Sequence, residues 1–334
     1  MYDIVALGEL LIDFTPAEKP EKGNPLFEMN PGGAPANVLA AAVKLGKRCA
    51  FIGKVGNDAF GRFSNRVLMD IGVDTRGLLF SEGINTTLAF VHLDDKGDRS
   101  FSFYRNPGAD MMLAREEIDF TIIDNCSIFH FGSVSLTSEP CRSATLSAVK
   151  HARKKGLTIS YDPNLRPALW ESLALAKEMI IQGLEYTDIL KISEEELLFI
   201  TSMDDLEEGS KYLSDKYDIC LIMVTLGAKG CFYRFGCNTG ILPAYDVKTI
   251  DTTGAGDAFL GGILYKILDS AKGLKDLSVS EIEHCIDFAN AVGSLATTQK
   301  GAIPAMPALE DVEACMCNVN KLVKKQIISP FSEE

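Results

Sequence analysis

The segment Ile250-Asp-Thr-Thr-Gly-Ala-Gly-Asp-Ala-Phe-Leu-Gly-Gly-Ile263 sets a carboxylate beside three small turn residues and an apolar run. This order predicts a strand end, a Gly-rich turn and a helix whose first turn holds Asp257. Gly254, Ala255 and Gly256 have little bulk, so their N–H groups can converge on an anion at the positive end of that helix. Asp257 sits where the same helix end favours a carboxylate. It can accept a hydroxyl proton while the amides hold a transferring phosphoryl group. Taken alone, the segment also fits a capped turn with no chemistry. Two other phosphate cradles are excluded. Phe259 stands where a dinucleotide-binding GxGxxG needs its third glycine, and no GxxxxGK[ST] occurs anywhere.

A second segment, Asn30-Pro-Gly-Gly-Ala-Pro-Ala-Asn37, leads into an Ala-rich stretch ending at Gly46. Small residues at Gly32 and Gly33 let a ligand approach the backbone, and Asn37 offers a polyol both a donor and an acceptor. By itself this too fits a tight turn before a helix. Histidines 92, 130, 151 and 284 show neither metal-ligand spacing nor a nearby nucleophile signature. Trp170 is expected to pack a wall of the site and not to stack on a base.

Elements that could position these groups are visible as a rhythm. Short aliphatic runs alternate with longer amphipathic stretches: 4–7 then 36–45, 49–55 then 58–71, 127–131 then 139–155, 157–161 then 171–182, 189–192 then 194–201. A further run at 219–225 precedes a hairpin around Gly236. Such alternation predicts an α/β fold with a mostly parallel sheet covered by helices on both faces. After Asp251 the pattern becomes helical, at about 256–268, 281–298 and 309–325. Two stretches break the rhythm. Residues 86–93 and 100–105 alternate in strand fashion around a 94–98 turn, and 16–27 is a Pro/Glu/Lys-rich excursion. Both could belong to a small β lid, formed by roughly 14–31 and 85–106, inserted in a single 1–334 domain.

Composition narrows the partners. With 334 residues, 46% hydrophobic and 24% charged, the chain is globular in character and excludes collagenous or low-complexity structure. Its 33 basic against 46 acidic residues give a formal charge of −13, which repels nucleic acid and anionic lipid. An anionic substrate must therefore find a local site. Nine cysteines without a CxxC pair, mostly inside apolar runs, suggest buried thiols in a reducing compartment. Cys315 and Cys317, two apart, would face different ways on a helix. The acidic start lacks the basic region of a signal peptide, and no apolar run reaches the ~18 residues of a membrane span. A cytoplasmic protein is expected.

Taken together, GGAPANV (32–38) and DTTGAGDAF (251–259) resemble the two signatures of the PfkB/ribokinase family of carbohydrate kinases in identity, order and separation. Intermediate landmarks extend the resemblance along the chain: Gly8-Glu-Leu-Leu-Ile-Asp13, Phe103-Tyr-Arg105, Asp162-Pro-Asn-Leu-Arg166, Lys191-Ile-Ser-Glu-Glu-Glu196, Thr225-Leu-Gly-Ala-Lys-Gly230 and Gly301-Ala-Ile-Pro304. Within that family the versions here look most like fructokinases. The resemblance implies a ribokinase-like three-layer sandwich and ATP-dependent phosphorylation of D-fructose at its 6-hydroxyl. Another small sugar, such as 2-keto-3-deoxygluconate or ribose, a nucleoside, or a non-catalytic sugar-binding role are the alternatives.

The resemblance also assigns roles. Asp257 would be the catalytic base, with Gly254, Ala255 and Gly256 as anion hole. Asp13, Gly32, Gly33, Asn37 and the lid residue Arg105 would contact the sugar, and Asn164 and Arg166 would flank the phosphate path. Thr225, Gly227, Gly230 and Asn290 match nucleotide-binding positions. Glu196 would organise Mg²⁺ through water, and Ser193 stands where the family motif has asparagine, at a phosphate or magnesium-water contact. Asp251, Thr253, Ala296, Gln299 and Gly301 resemble a K⁺ site. Strand edges on the lid imply a homodimer.

Overall fold

The structure is a computed structural model that describes residues 1–17, 23–93, 99–270 and 272–322. Among the described residues, thirteen strands and ten α-helices follow one another along the chain. The strands are β1 (Tyr2–Leu7), β2 (Leu11–Pro16), β3 (Phe27–Gly32), β4 (Cys49–Gly56), β5 (Asp74–Ser81), β6 (Leu88–Leu93), β7 (Arg99–Tyr104), β8 (Cys126–Gly132), β9 (Thr158–Asp162), β10 (Ile189–Ser193), β11 (Leu221–Thr225), β12 (Cys231–Phe235) and β13 (Asn238–Leu242). The helices are α1 (Ala34–Lys44), α2 (Ala59–Asp70), α3 (Phe120–Asp124), α4 (Cys141–Lys154), α5 (Leu173–Leu184), α6 (Glu194–Thr201), α7 (Leu206–Tyr217), α8 (Ala255–Asp269), α9 (Val279–Ala296) and α10 (Leu309–Asn318).

A nine-stranded sheet in the order β13-β12-β11-β10-β9-β8-β1-β4-β5 forms the centre, parallel except where β12 and β13 pair antiparallel at one edge. Its central strands are buried on both faces, so apolar residues on either side of the pleat divide between two cores. In β1, Ile4 and Ala6 join the core under α1, α8 and α9, while Val5 and Leu7 join the core under α4 and α5. In β11, Leu221 and Met223 take the first side and Ile222 and Val224 the second. The result is three layers, as the alternation of runs leads one to expect.

A separate four-stranded sheet has the order β3-β2-β6-β7. Its β6–β7 pair is the antiparallel hairpin expected from sequence, with Leu88 opposite Tyr104, and the 94–98 turn lies outside the described residues. The hairpin starts two residues later than the alternation suggests, because Thr86 and Thr87 bond to Asp58 and Asp110 instead of entering a strand. Part of the 16–27 excursion, residues 18–22, is also outside the described set.

The last helix is shorter than expected. It ends at Asn318, and the chain then runs back along Tyr245, with the Leu322 N–H donating to the Ala244 carbonyl at 2.8 Å. Residues 323–325 lie outside the described set. Six of the nine thiols are buried, but Cys237 and Cys317 are exposed and Cys220 is half-buried. Buried Cys315 and exposed Cys317 do face opposite ways on α10. Among the described residues no helix is long and apolar enough to cross a membrane.

Candidate active site

Two cavities meet at the turn that opens α8. One, of about 220 Å³, is lined by Gly254 and Asp257, and the other, of about 420 Å³, by Ala255 and Gly256. Thr252 lines both. Gly254 has a left-handed backbone, φ 74°, which a Cβ would strain, and a Cβ there would also come 2.8 Å from that of Ala302. The bare turn is thus required by the packing around it.

Close packing of α1 on α8 completes the first cavity. A Cβ on Gly261 would lie 2.5 Å from that of Ala41 and 2.9 Å from the Val38 carbonyl, so glycine in α8 and alanine in α1 let the helices approach. This brings the Asn37 amide to Asp257, Nδ2 donating to Oδ2 at 2.8 Å. Asn37 Oδ1 is buried without a partner and remains an acceptor for a ligand hydroxyl. Asp13 reaches the same cavity from β2, where it pairs with Asn30. Its carboxylate fills the space beside Gly32, where a Cβ would come 2.4 Å from Oδ2. Gly33, φ 123°, would drive a Cβ to 2.3 Å from the Glu9 carbonyl.

Arg166 and Asn164 enter this cavity from the loop after β9. Asn164 holds a left-handed φ of 47°, which asparagine tolerates better than most residues. Burial lifts the pKa of Asp257 to about 6, against the pull of the Lys191 ammonium, with Asp162 adding to the rise and Asn37 and Arg166 opposing it. Asp13 is also raised to about 6 by burial, lowered by Arg166 and raised by Asp257. Both acids are ionised at neutral pH yet close to protonation, as suits a base for a hydroxyl.

Arg105 is placed differently from the sequence expectation. It is buried, does not line the cavity, and donates through Nε to Asp110 at 2.8 Å, through Nη1 to Thr137 at 2.9 Å and through Nη2 to the Val134 carbonyl at 3.2 Å. A guanidinium this enclosed needs a carboxylate, and Asp110, five residues on, supplies it. Trp170 likewise packs into the core on the α4–α5 side and lines neither cavity.

The larger cavity contains Thr225, Gly227, Gly230 and Asn290 with apolar walls from Val247 and Phe259. Gly230 must lack a side chain, since a Cβ would come 2.0 Å from the Leu242 carbonyl. Asn290 donates through Nδ2 to the carbonyls of Leu242 and Pro243 at 3.0 and 3.2 Å, pinning the chain where it leaves β13. Ser193 and Glu196 line neither cavity. They form a capping box at the start of α6: Ser193 Oγ accepts from the Glu196 N–H at 3.2 Å, and Glu196 Oε2 accepts from the Ser193 N–H at 2.8 Å. Glu196 Oε1 accepts from the Leu165 N–H at 2.6 Å, and its pKa is raised by burial and by Asp162.

The K⁺ candidates converge where the loop before α8 meets the chain leaving α9. Asp251 Oδ1 accepts from the Thr253 N–H and hydroxyl at 2.9 and 2.7 Å, and Oδ2 from the Gly301 N–H at 3.0 Å. The Ile250 and Asp251 N–H groups donate to the Thr297 carbonyl, next to Ala296 at the end of α9 and two residues before Gln299. A carboxylate beside the carbonyl end of a helix is a set of hard oxygen donors, which fits an alkali cation. For a divalent ion, the carboxylate of Glu196 retains lone pairs beyond its two backbone bonds, which fits water-mediated contact.

Three groups stood among the sequence landmarks without an assigned role. Glu9 lines the smaller cavity, accepts from the Ala34 N–H at 3.0 Å through Oε1, leaves Oε2 unpartnered, and is lifted to about 7 by burial. Lys191 and Asp162 form a buried pair at 2.7 Å. The signal available for Lys191 was a lone charge inside an aliphatic strand.

Comparison with known proteins places the chain in a family. The model of the pfkB family carbohydrate kinases matches residues 1–309. Fructokinase-1 of Oryza sativa subsp. japonica is 45% identical over 311 residues, covering 92% of this chain and 96% of the relative. A fructokinase from Xylella fastidiosa with bound ATP superposes with a TM-score of 0.87 at 33% identity, covering 94% of this chain and 98% of that one. A double-mutant fructokinase from Vibrio cholerae O395, in fructose, ADP and potassium ion bound form, does so at 0.85 with 36% identity, covering 94% and 98%. With residues 1–309 of its 334 matched by the family model, the chain belongs to the pfkB family of carbohydrate kinases.

Proposed function

We propose that this chain is a fructokinase that transfers the γ-phosphoryl group of ATP to the 6-hydroxyl of D-fructose. The observation that carries the reading is the shared wall: a carboxylate oriented by Asn37 and a collar of backbone amides stand where a sugar-sized cavity joins a larger one. The kinship with fructokinases at 45% identity supports the sugar and the phosphate donor.

In this reading Asp13 and Asn37 accept and donate hydrogen bonds with the sugar hydroxyls and orient the primary one toward Asp257. Asp257 takes its proton as the oxygen attacks in line, and the Gly254–Gly256 amides receive the charge developing on the phosphoryl oxygens. Arg166, facing both carboxylates, balances their charge and guides the transferred group. The nucleotide occupies the cavity of Thr225, Gly227, Gly230 and Asn290. Mg²⁺ bound with the nucleotide would supply charge neutralisation at the phosphates, and Glu196 would act on it through water. K⁺ would be held by Asp251, Thr253 and the carbonyls of Ala296, Gln299 and Gly301.

The four-stranded sheet serves as a lid that excludes water from the transfer. Its exposed Phe27, Met29 and Tyr104 favour pairing with a second copy, giving a homodimer. The buried free thiols favour the cytoplasm. An ADP-coupled assay over ketoses, aldoses and nucleosides tests the substrate. Fructose should turn over with the highest kcat/KM, and the phosphate should appear on O6 by NMR. Preference for ribose, 2-keto-3-deoxygluconate or a nucleoside would overturn the assignment, and a monomer by light scattering would remove the dimer.

A further inference from the structure

Strand β10 carries a charge where its neighbours are fully buried aliphatics: Ile189, Leu190 and Ile192 are 0% exposed, and Lys191 is 7% exposed. Ile189 belongs to the core beneath α8 while Leu190 and Ile192 belong to the opposite one, so the pleat points Lys191 toward α8. The register that sets Ile189 beside Ser160 and Leu190 beside Tyr161 brings Lys191 level with Asp162 on β9. Its Nζ lies 2.7 Å from Asp162 Oδ2, while Asp162 Oδ1 has no partner. A Cβ placed on Gly256 would come 3.0 Å from that Nζ and 3.2 Å from Cε. The ammonium therefore packs directly against the last glycine of the anion collar, behind the wall that the two cavities share.

Burying an ion pair in a sheet centre brings little net stability, and an aliphatic pair of similar volume would fill the space as well. The location is what distinguishes this pair. We propose that Lys191, held by Asp162, is a positioning residue for phosphoryl transfer, a fixed positive charge behind Gly256 that strengthens the hold of the Gly254–Gly256 amides on the charge developing in the transition state. This rests on the kinase reading above. The amides face the ligand and Lys191 lines neither cavity, so it acts through the collar and not by contact.

The same charge bears on the base. Asp257 faces Asn37 from α1, Asp13 from β2, Asp162 from β9, Arg166 from the following loop and Lys191 from β10. Lys191 in turn faces Asp162, Glu196 of α6, His130 of β8 and the Cys231 thiol of β12. Burial opposes its charge, yet the carboxylates of Asp162, Glu196 and Asp257 lift its pKa above the usual lysine value, so it stays an ammonium throughout the working range. Among these groups Lys191 and Arg166 are the cations that favour ionised Asp257.

The test compares Lys191→Met, and Lys191→Met combined with Asp162→Asn so that no buried carboxylate is left unpaired, with the wild-type chain. Wild type is assayed for fructose phosphorylation in parallel. ADP, which lacks the transferred group, reports on folding of the nucleotide cavity by calorimetry, and kcat and the pH profile of kcat/KM are measured. In folded Lys191→Met, kcat should fall about 10- to 100-fold with ADP affinity within about threefold, and the acidic limb of kcat/KM should rise by about one pH unit; in the double variant, which also removes the opposing Asp162 charge, both changes should keep their direction and be smaller. Wild-type kcat with an unmoved limb would overturn the proposal. So would failure of both variants to fold and bind ADP, since Lys191 would then be a folding residue. Absence of fructose phosphorylation by the wild type would bring down the kinase reading itself, and this inference with it.

Discussion

Replacing Asp257 by asparagine should impair the enzyme and strengthen the fold at once. The side chain is 7% exposed, and burial moves its carboxyl from an ordinary 3.8 to about 6. A shift of about two pKa units corresponds to roughly 3 kcal/mol of disfavoured ionisation. The folded pKa lies above the unfolded one, so the folded chain binds more protons in the window between about 4 and 6, and stability is lost as pH rises through it. Asparagine keeps an acceptor for the Asn37 amide and carries no charge to desolvate. Urea unfolding of the ligand-free proteins from pH 4 to 8 should show near-equal stability at the acidic end. An advantage to the variant of about 1–3 kcal/mol should open through the window and hold above it. In an ADP-coupled assay at neutral pH its kcat should be about 10²- to 10⁴-fold lower. A variant that turns over fructose at near wild-type rate, or that is less stable at neutral pH, would refute the assignment of Asp257 as a buried base.

Wild-type kcat/KM should fall at least tenfold between pH 7 and pH 5, because a base with its pKa near 6 goes from mostly ionised to mostly protonated across that range. Asp13 titrates in the same window and is coupled to Asp257, so Asp13→Asn should leave a shallower acidic limb, and a flat wild-type profile would contradict both shifts. Arg105→Ala should cost about 3–5 kcal/mol in chemical denaturation, because it strands Asp110 without its cation; Asp110→Asn in the same chain should recover part of that loss. A raised fructose KM with an unchanged unfolding midpoint would instead make Arg105 a sugar ligand. Asp251→Asn should reduce activation by K⁺ about tenfold while sparing the activity seen without it, and equal K⁺ activation in variant and wild type would remove Asp251 from the cation site.

Much of this protein was legible in its residues because the features concerned are local. Gly254 to Asp257 spell a bare turn followed by a helix, and the positive φ at Gly254 and Gly33 is a demand that a few neighbouring residues impose. The alternation of aliphatic runs foretold a parallel sheet, and the hairpin of β6 and β7 followed from its period of two. Less legible were ends set by distant partners. Thr86 and Thr87 read as strand until Asp58 and Asp110 claim them, and the last helix stops at Asn318 where the chain pairs with Tyr245.

What the sequence by itself determined is the inventory of chemistry: an acid at a helix start, small residues around it, a polyol-compatible amide and an overall charge that forbids nonspecific anion binding. Tertiary structure alone decided who stands next to whom. Asn37 meets Asp257 across 220 residues only because Gly261 lets α8 approach α1, and Lys191 lies behind Gly256 only because β10 runs beside β9 under that helix. Arg105, placed on the sugar by analogy, turns inward to Asp110 because an enclosed guanidinium gains more from a neighbouring carboxylate than from an open cavity. Turn and helix signals depend on near neighbours along the chain, whereas these contacts depend on how closely packed layers settle against one another, which no local pattern encodes.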